Sequence, residues 1–172
     1  IFAEELEKAG IDELDEDREY FEIKEKTVYR DKENQVELTA YPDDELSINV
    51  LIDYNSKVLG HQYASYNPRK DFKKEVAPSR TFVFFHELEF LRKNNLIKGG
   101  DLENAIVIME NPVPQEELDR MADLFNKPRV KVKPEGVLNN LDLYYSNEPA
   151  RHKLLDMIGD LALIGKPIKG RI

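Results

Sequence analysis

The chain contains no cysteine. It can therefore form neither a disulfide nor a thiolate metal site, and any metal it holds must take donors from histidine and carboxylates. Histidine is itself scarce: His61, His86 and His152 are the whole supply. No apolar run approaches the roughly 20 residues of a membrane span, and no leader peptide is visible, so a cytoplasmic location is the default expectation, with at most peripheral membrane contact. Basic residues are outnumbered, 25 Lys and Arg against 34 Asp and Glu, for a net charge of -9. That balance argues against a dedicated nucleic-acid binder, which needs clustered cations to neutralise phosphates. There is no short-period repeat and no low-complexity tract.

What remains is a globular composition. Hydrophobic residues make up 41% and charged residues 34% of 172 positions, enough for one domain with a substantial core. Residues 2–9 read as a helix closed by Gly10. At the other end, Ile168-Lys169-Gly170-Arg171-Ile172 alternates like a strand. Both termini interrupt a structural pattern, so the expected organisation is a tail helix from a preceding domain (residues 1–10) and a domain spanning 11–172, cut at both ends.

Strand patterns follow at Tyr20–Tyr29, Gln35–Tyr41 and Leu46–Tyr54, the first two joined by the polar turn Asp31-Lys32-Glu33-Asn34. In the third, Leu46, Ile48, Val50 and Ile52 alternate with the residues between them, as in a half-buried strand. Asn67-Pro68 is expected to open a short helix through Val76, and a second helix runs from about His86 to Asn94, ended by Lys98-Gly99-Gly100. Ala105–Met109, Pro114–Phe125 and Arg129–Val132 read as strand, helix, strand. They form a small βαβ insertion between about Asp101 and Leu143. Leu141–Tyr145 is a further strand candidate. The expected class is α+β: a two-layer sandwich of helices on a mainly antiparallel sheet, carrying that insertion.

The stretch with the most chemistry is Arg151-His152-Lys153-Leu154-Leu155-Asp156-Met157-Ile158-Gly159-Asp160-Leu161. A helix is expected from Glu148-Pro149 to Gly165. At about 100° per residue, His152, Asp156 and Asp160 fall on one side, with Gly159 beside them. Leu154, Leu155, Ile158, Leu161 and Ala162 fall on the other and require a core. His152 and Asp156 can meet one cation, either zinc or ferrous iron. Asp160 lies about 6 Å further along, suited to a supporting or substrate-facing role. The bland alternative is a solvated polar face on a non-enzymatic binding or interaction module. A catalytic zinc site takes about three protein ligands, and only two are visible. His86-Glu87-Leu88-Glu89-Phe90 begins like a zinc-protease helix but fails at Phe90. Thr81 offers a hydroxyl to an oxyanion, beside the apolar run from Phe82 to Phe85.

Four segments then carry a resemblance in order and spacing. They are Ser79-Arg80-Thr81-Phe82; His86 to Leu91; Gly99-Gly100-Asp101-Leu102-Glu103-Asn104-Ala105-Ile106-Val107; and Arg151-His152-Lys153 through Gly159-Asp160-Leu161. Together they resemble the second half of the UDP-3-O-acyl-N-acetylglucosamine deacetylases (LpxC), in the form fused to a 3-hydroxyacyl-ACP dehydratase. The resemblance covers residues 11–172 and implies lipid A biosynthesis, a UDP-linked acylated glucosamine substrate and a zinc cofactor. It implies that His152 and Asp156 are two of three zinc ligands, that Asp160 orients a catalytic histidine, and that Thr81 helps hold the oxyanion. It implies that Lys153 and Lys24 contact the UDP part and Glu87 a polar head. Phe82, Phe84 and Leu88 are implied as the acyl-chain wall, with the insertion, including Ile106, Val107 and Ile108, as the acyl passage. At the place of the uracil-stacking aromatic stands Leu46, with Tyr41 nearby. The family's third zinc ligand, its general-base glutamate and its catalytic histidine have no counterpart here. The expectation is that this piece alone does not turn over and binds zinc weakly or not at all.

Overall fold

The computed structural model describes residues 2–97 and 104–172. The expected helix stop at Lys98-Gly99-Gly100 and the start of the insertion at Asp101 lie outside the described residues. The α+β class is what the chain adopts. Its elements are α1 (Phe2–Ala9), β1 (Phe21–Glu22), β2 (Thr27–Asp31), β3 (Val36–Ala40), β4 (Ile48–Asp53), β5 (His61–Tyr66), α2 (Phe72–Glu75), β6 (Thr81–Phe84), a 3-10 turn (Phe85–Glu87), α3 (Leu88–Lys93), β7 (Ala105–Ile108), α4 (Gln115–Leu124), α5 (Glu148–Ala162) and β8 (Ile168–Lys169). Among the described residues the strands pair two by two: β1 with β8, β2 with β3, β4 with β5 and β6 with β7. The β2–β3 hairpin is antiparallel, whereas β1–β8 and β6–β7 are parallel.

Two compact units can be distinguished. The first comprises Ile1–Asn49, Ser65–Ala77 and Leu154–Ile172. In it, Phe21 pairs with Ile168 and Glu22 with Lys169. The chain beyond β8 continues the pairing, with Arg171 bridging both Tyr41 and Ser47. Asp71 caps the short helix α2 by accepting from Lys74 N–H. That helix is shorter than expected because a turn from Asn67 to Lys70 precedes it. Phe2 and Leu6 of α1 are exposed.

The second unit comprises Val50–Ala64 and Pro78–Lys153. Its centre is the parallel pair β6–β7, in register from Thr81–Ala105 to Phe84–Ile108. β7 reads Ala-Ile-Val-Ile without alternation, and all four residues are buried, as a parallel strand covered on both faces requires. Phe85, Leu88, Val107, Met109, Leu118, Met121, Val130 and Leu138 form one apolar cluster. The helical spacing of Leu118 and Met121 puts one side of α4 into it, and Ala122 on the same side is also buried. Outside, Arg120 ties α4 to α3, donating to Glu117 and Glu89, while Lys93 also meets Glu89. Those cations hold the Glu89 carboxyl down at about 2. Gly136, at a φ of +80°, is required where it is: a Cβ there would lie 2.6 Å from the Val58 methyl.

Some elements differ from the sequence reading. His61 stands at the start of strand β5, an element absent from the strands read in the sequence. Arg129–Val132 is not a strand; Val132 makes only an isolated bridge to Leu138, beside one from Ile108 to Val137. Leu141–Tyr145 forms no strand either, because side chains take its backbone groups. Lys133 donates to Leu141 O, Arg80 to Asp142 O, and Tyr144 N–H donates to Glu148. Along α5, Leu154 is buried but Leu155, Ile158 and Leu161 are only half-buried and Ala162 is exposed. A helical apolar pattern marks a face that can pack; the described residues cover only its first part.

Leu118 is 2% exposed and Leu163 is 86% exposed. Leu118→Ala should cost about 2–5 kcal/mol, and Leu163→Ala should stay within about 0.5 kcal/mol, both read from urea unfolding midpoints.

Candidate active site

α5 begins at Glu148, with Pro149 in the first turn, where a missing N–H costs nothing. Glu148 has no exposed surface. Four donors surround its carboxylate. Oε1 accepts from Arg80 N–H at 3.0 Å and Arg80 Nε at 2.8 Å. Oε2 accepts from Arg80 Nη2 at 3.0 Å and Tyr144 N–H at 2.8 Å. Arg80 Nη2 also donates to Asp142 O at 2.6 Å, and its guanidinium lies 4.1 Å from the centre of the Tyr144 ring. Burial alone would push the Glu148 carboxyl up. The Arg80 side chain and the two backbone N–H groups outweigh this and hold it below its usual 4.5. The same hydrogen bond raises Arg80 above its already high value.

One helical turn after Glu148 comes His152, whose Nδ1 lies 3.1 Å from Ser79 O. A carbonyl can only accept, so Nδ1 carries a proton; in the neutral ring the lone pair is then on Nε2. Asp156 and Asp160 follow at further steps of four and are exposed. A Cβ on Gly159 would meet none of the described residues within 4 Å, so among them the helix surface there is open. An imidazole held at Nδ1 by a carbonyl presents Nε2 to a metal, and with a carboxylate at i+4 this is donor chemistry that fits zinc. Among the described residues no group of three His, Asp or Glu side chains is gathered for a metal.

Thr81 is the first residue of β6 and half-buried. Phe82 and Phe84 sit edge-on to Tyr54, with ring centres 5.4 and 5.9 Å away, and His86 stacks on Phe84. Lys153 Nζ lies 6.0 Å from the centre of the Phe82 ring. Thus Thr81, Phe82, Phe84 and Lys153 share one neighbourhood, and Tyr54 joins it. Sequence reasoning placed Tyr54 only as the end of a strand; its sole signal was an aromatic at the close of the alternating β4 pattern. Arg80 and Glu148 were likewise not singled out. Glu87 is exposed in the 3-10 turn. Leu88 is 3% exposed and belongs to the apolar cluster, and Ile106, Val107 and Ile108 are equally buried. Lys24 belongs to the first unit, where it lines an open depression of about 640 Å³ with Glu22, Ile23, Pro42, Asp43, Asp44 and Lys169. Leu46 and Tyr41 also belong to the first unit, the Tyr41 ring lying under the Lys26 and Arg171 cations.

The profile of the family described as LpxC, UDP-3-O-acyl N-acetylglycosamine deacetylase, matches residues 1–130 and 126–172. The chain belongs to this family. Its relatives include the bifunctional enzymes LpxC/FabZ of Porphyromonas gingivalis and Bacteroides thetaiotaomicron, each 46% identical over 171 residues. Those alignments cover 99% of this chain and 37% of either relative. The UDP-3-O-acyl-N-acetylglucosamine deacetylase of Chlamydia pneumoniae is 32% identical over 174 residues, covering all of this chain and 52% of that protein. The chain therefore spans about half the length or less of these LpxC relatives.

Glu148→Ala should cost about 3–5 kcal/mol, because it strands the Arg80 charge. A carboxyl held below its unfolded value contributes stability that is present above about pH 4.5 and lost as pH falls through the folded value. Urea unfolding at stepped pH should accordingly fall off less steeply below pH 4.5 in Glu148→Gln than in the wild type.

Proposed function

We propose that this chain supplies part of the active site of a zinc-dependent deacetylase. The substrate is UDP-3-O-(3-hydroxyacyl)-N-acetylglucosamine, whose acetamide is hydrolysed in lipid A biosynthesis. The observation that carries this reading is His152. It sits in the family motif, and its ring is hydrogen-bonded through Nδ1 to Ser79 O, the kind of backbone contact that orients a histidine to bind a metal through Nε2.

In this reading His152 and Asp156 are two of the protein donors to zinc. When bound, zinc supplies a more acidic water and a Lewis acid for the acetamide carbonyl. The residues of this chain do the rest of their work by binding and orientation. Thr81 donates its hydroxyl to the oxyanion that develops from that carbonyl. Lys153 provides a cation for the diphosphate, held beside Phe82. Phe82, Phe84 and Tyr54 form an apolar wall for the acyl chain, and Leu88, buried in the core, supports that region by packing. Glu87, exposed next to them, takes a polar-head contact. Lys24 is a further basic contact to the UDP part. Asp160 accepts from a catalytic histidine and keeps its ring oriented. The remote acyl and UDP groups position the acetamide.

A third ligand, a general-base glutamate and the catalytic histidine are assigned to no residue of these 172. The relatives' names further suggest a parent protein fused to a FabZ-type dehydratase. No helix among the described residues is long and apolar enough to cross a membrane.

Two measurements test the reading. In the full-length protein, His152→Ala should remove bound zinc, read by metal analysis, and abolish acetate release. Wild-type zinc content in that variant would show that His152 is not a ligand and favour a binding module. The 172-residue chain by itself should release no acetate; turnover by it would overturn the assignment of base, acid and third ligand elsewhere.

A further inference from the structure

Ser79 O and Arg80 N–H belong to one peptide group. The carbonyl accepts from His152 Nδ1 at 3.1 Å, and the N–H donates to Glu148 Oε1 at 3.0 Å. Glu148 and His152 are four residues apart on α5, a rise of about 6 Å. A single peptide therefore lies along one turn of the helix, with one end on each side chain. Because the peptide is planar and trans, its N–H and C=O point in opposite directions, and fixing one fixes the other. Thr81, the oxyanion-donor candidate, is the next residue.

We propose that Glu148 is a positioning residue. By accepting from Arg80 N–H it aims Ser79 O at His152, and so sets the tautomer and ring orientation of the imidazole. The Arg80 guanidinium keeps the Glu148 carboxylate charged in a place without solvent.

Two observations favour positioning over simple stabilisation. First, a buried ion pair is a poor source of stability: apolar residues of similar volume in both places are often as stable or more so. Second, the carboxylate takes hydrogen bonds from the backbone on either side of the guanidinium, at Arg80 and Tyr144, as well as from the guanidinium itself. A pair needed only for charge compensation has no use for the Arg80 N–H. Here that N–H is the link through which the strand start is oriented. Among the described residues the buried Ser79 hydroxyl has no hydrogen-bond partner, and the contact to His152 runs through the backbone of Ser79.

The inference rests on the proposed deacetylase reading for the meaning of His152, but its test has a readout independent of zinc. In the full-length protein with 15N-labelled histidine, the His152 ring is identified by its loss in His152→Asn. Without metal, the wild type should show the Nδ1–H tautomer. The double variant Arg80→Met/Glu148→Leu removes the charges together and should stay folded. It should lose the single tautomer, and its zinc dissociation constant should rise about 10–100-fold. Glu148→Gln, which retains a side-chain oxygen for the Arg80 N–H, should keep the tautomer and most of the affinity. A folded double variant with the wild-type tautomer overturns the proposal, as does Glu148→Gln with a mixed tautomer in a folded protein. If the tautomer shifts as expected while the wild type holds no zinc, positioning stands and the deacetylase reading fails.

Discussion

Glu148 carries a charge and has no exposed surface, so everything that stabilises it must come from the protein. That constraint orders much of the second unit. It requires Arg80 at the start of β6, holds the backbone at Tyr144, and brings Asp142 O within reach of the same guanidinium. The segment after the insertion loses its chance to be a strand as a result. The constraint also locates chemistry. Residues 79–81 give in turn a carbonyl to His152, a clamp on Glu148 and the hydroxyl of Thr81. Neighbouring positions in the chain thus meet one turn of helix α5 and, on the proposed reading, one oxyanion.

The elements legible in the sequence were those whose signal is local. Helices α4 and α5 follow from apolar spacing and their prolines, and β4 from strict alternation, with Ile48, Val50 and Ile52 buried and their neighbours exposed. β7 was legible as an uninterrupted apolar run. What failed was what depends on distant partners. His61–Tyr66 contains two tyrosines, a histidine and a glutamine, a composition that pairs with β4 only because β4 is there. Leu141–Tyr145 has strand-like composition, yet its hydrogen-bonding groups are claimed by Lys133, Arg80 and Glu148, which no window of neighbouring residues could show.

The candidate site divides in the same way. His152, Asp156 and Asp160 announced themselves by spacing on one helix. Thr81, Phe82 and Phe84 drew attention as a hydroxyl beside an apolar run and again through a family motif, and the structure does place Lys153 and Tyr54 around that aromatic group. Glu148 and Arg80 gave no signal beyond being charged residues among many, since burial of a charge is invisible without a fold. Leu88 shows the converse: it is a hydrophobic residue within a motif whose place turns out to be the core.

The parallel pairing of β6 with β7 has a kinetic side. Its register joins Thr81 to Ala105 and Phe84 to Ile108, so neither strand can find its partner through a tight turn. The chain from Phe85 to Asn104 has to be brought round first, and that closure is made before the contacts that reward it exist. The second unit should therefore gain its centre late in folding, after helices and hairpins that close over shorter distances. Until then the Ala-Ile-Val-Ile of β7, wholly buried in the native protein, is open to pairing with the wrong chain.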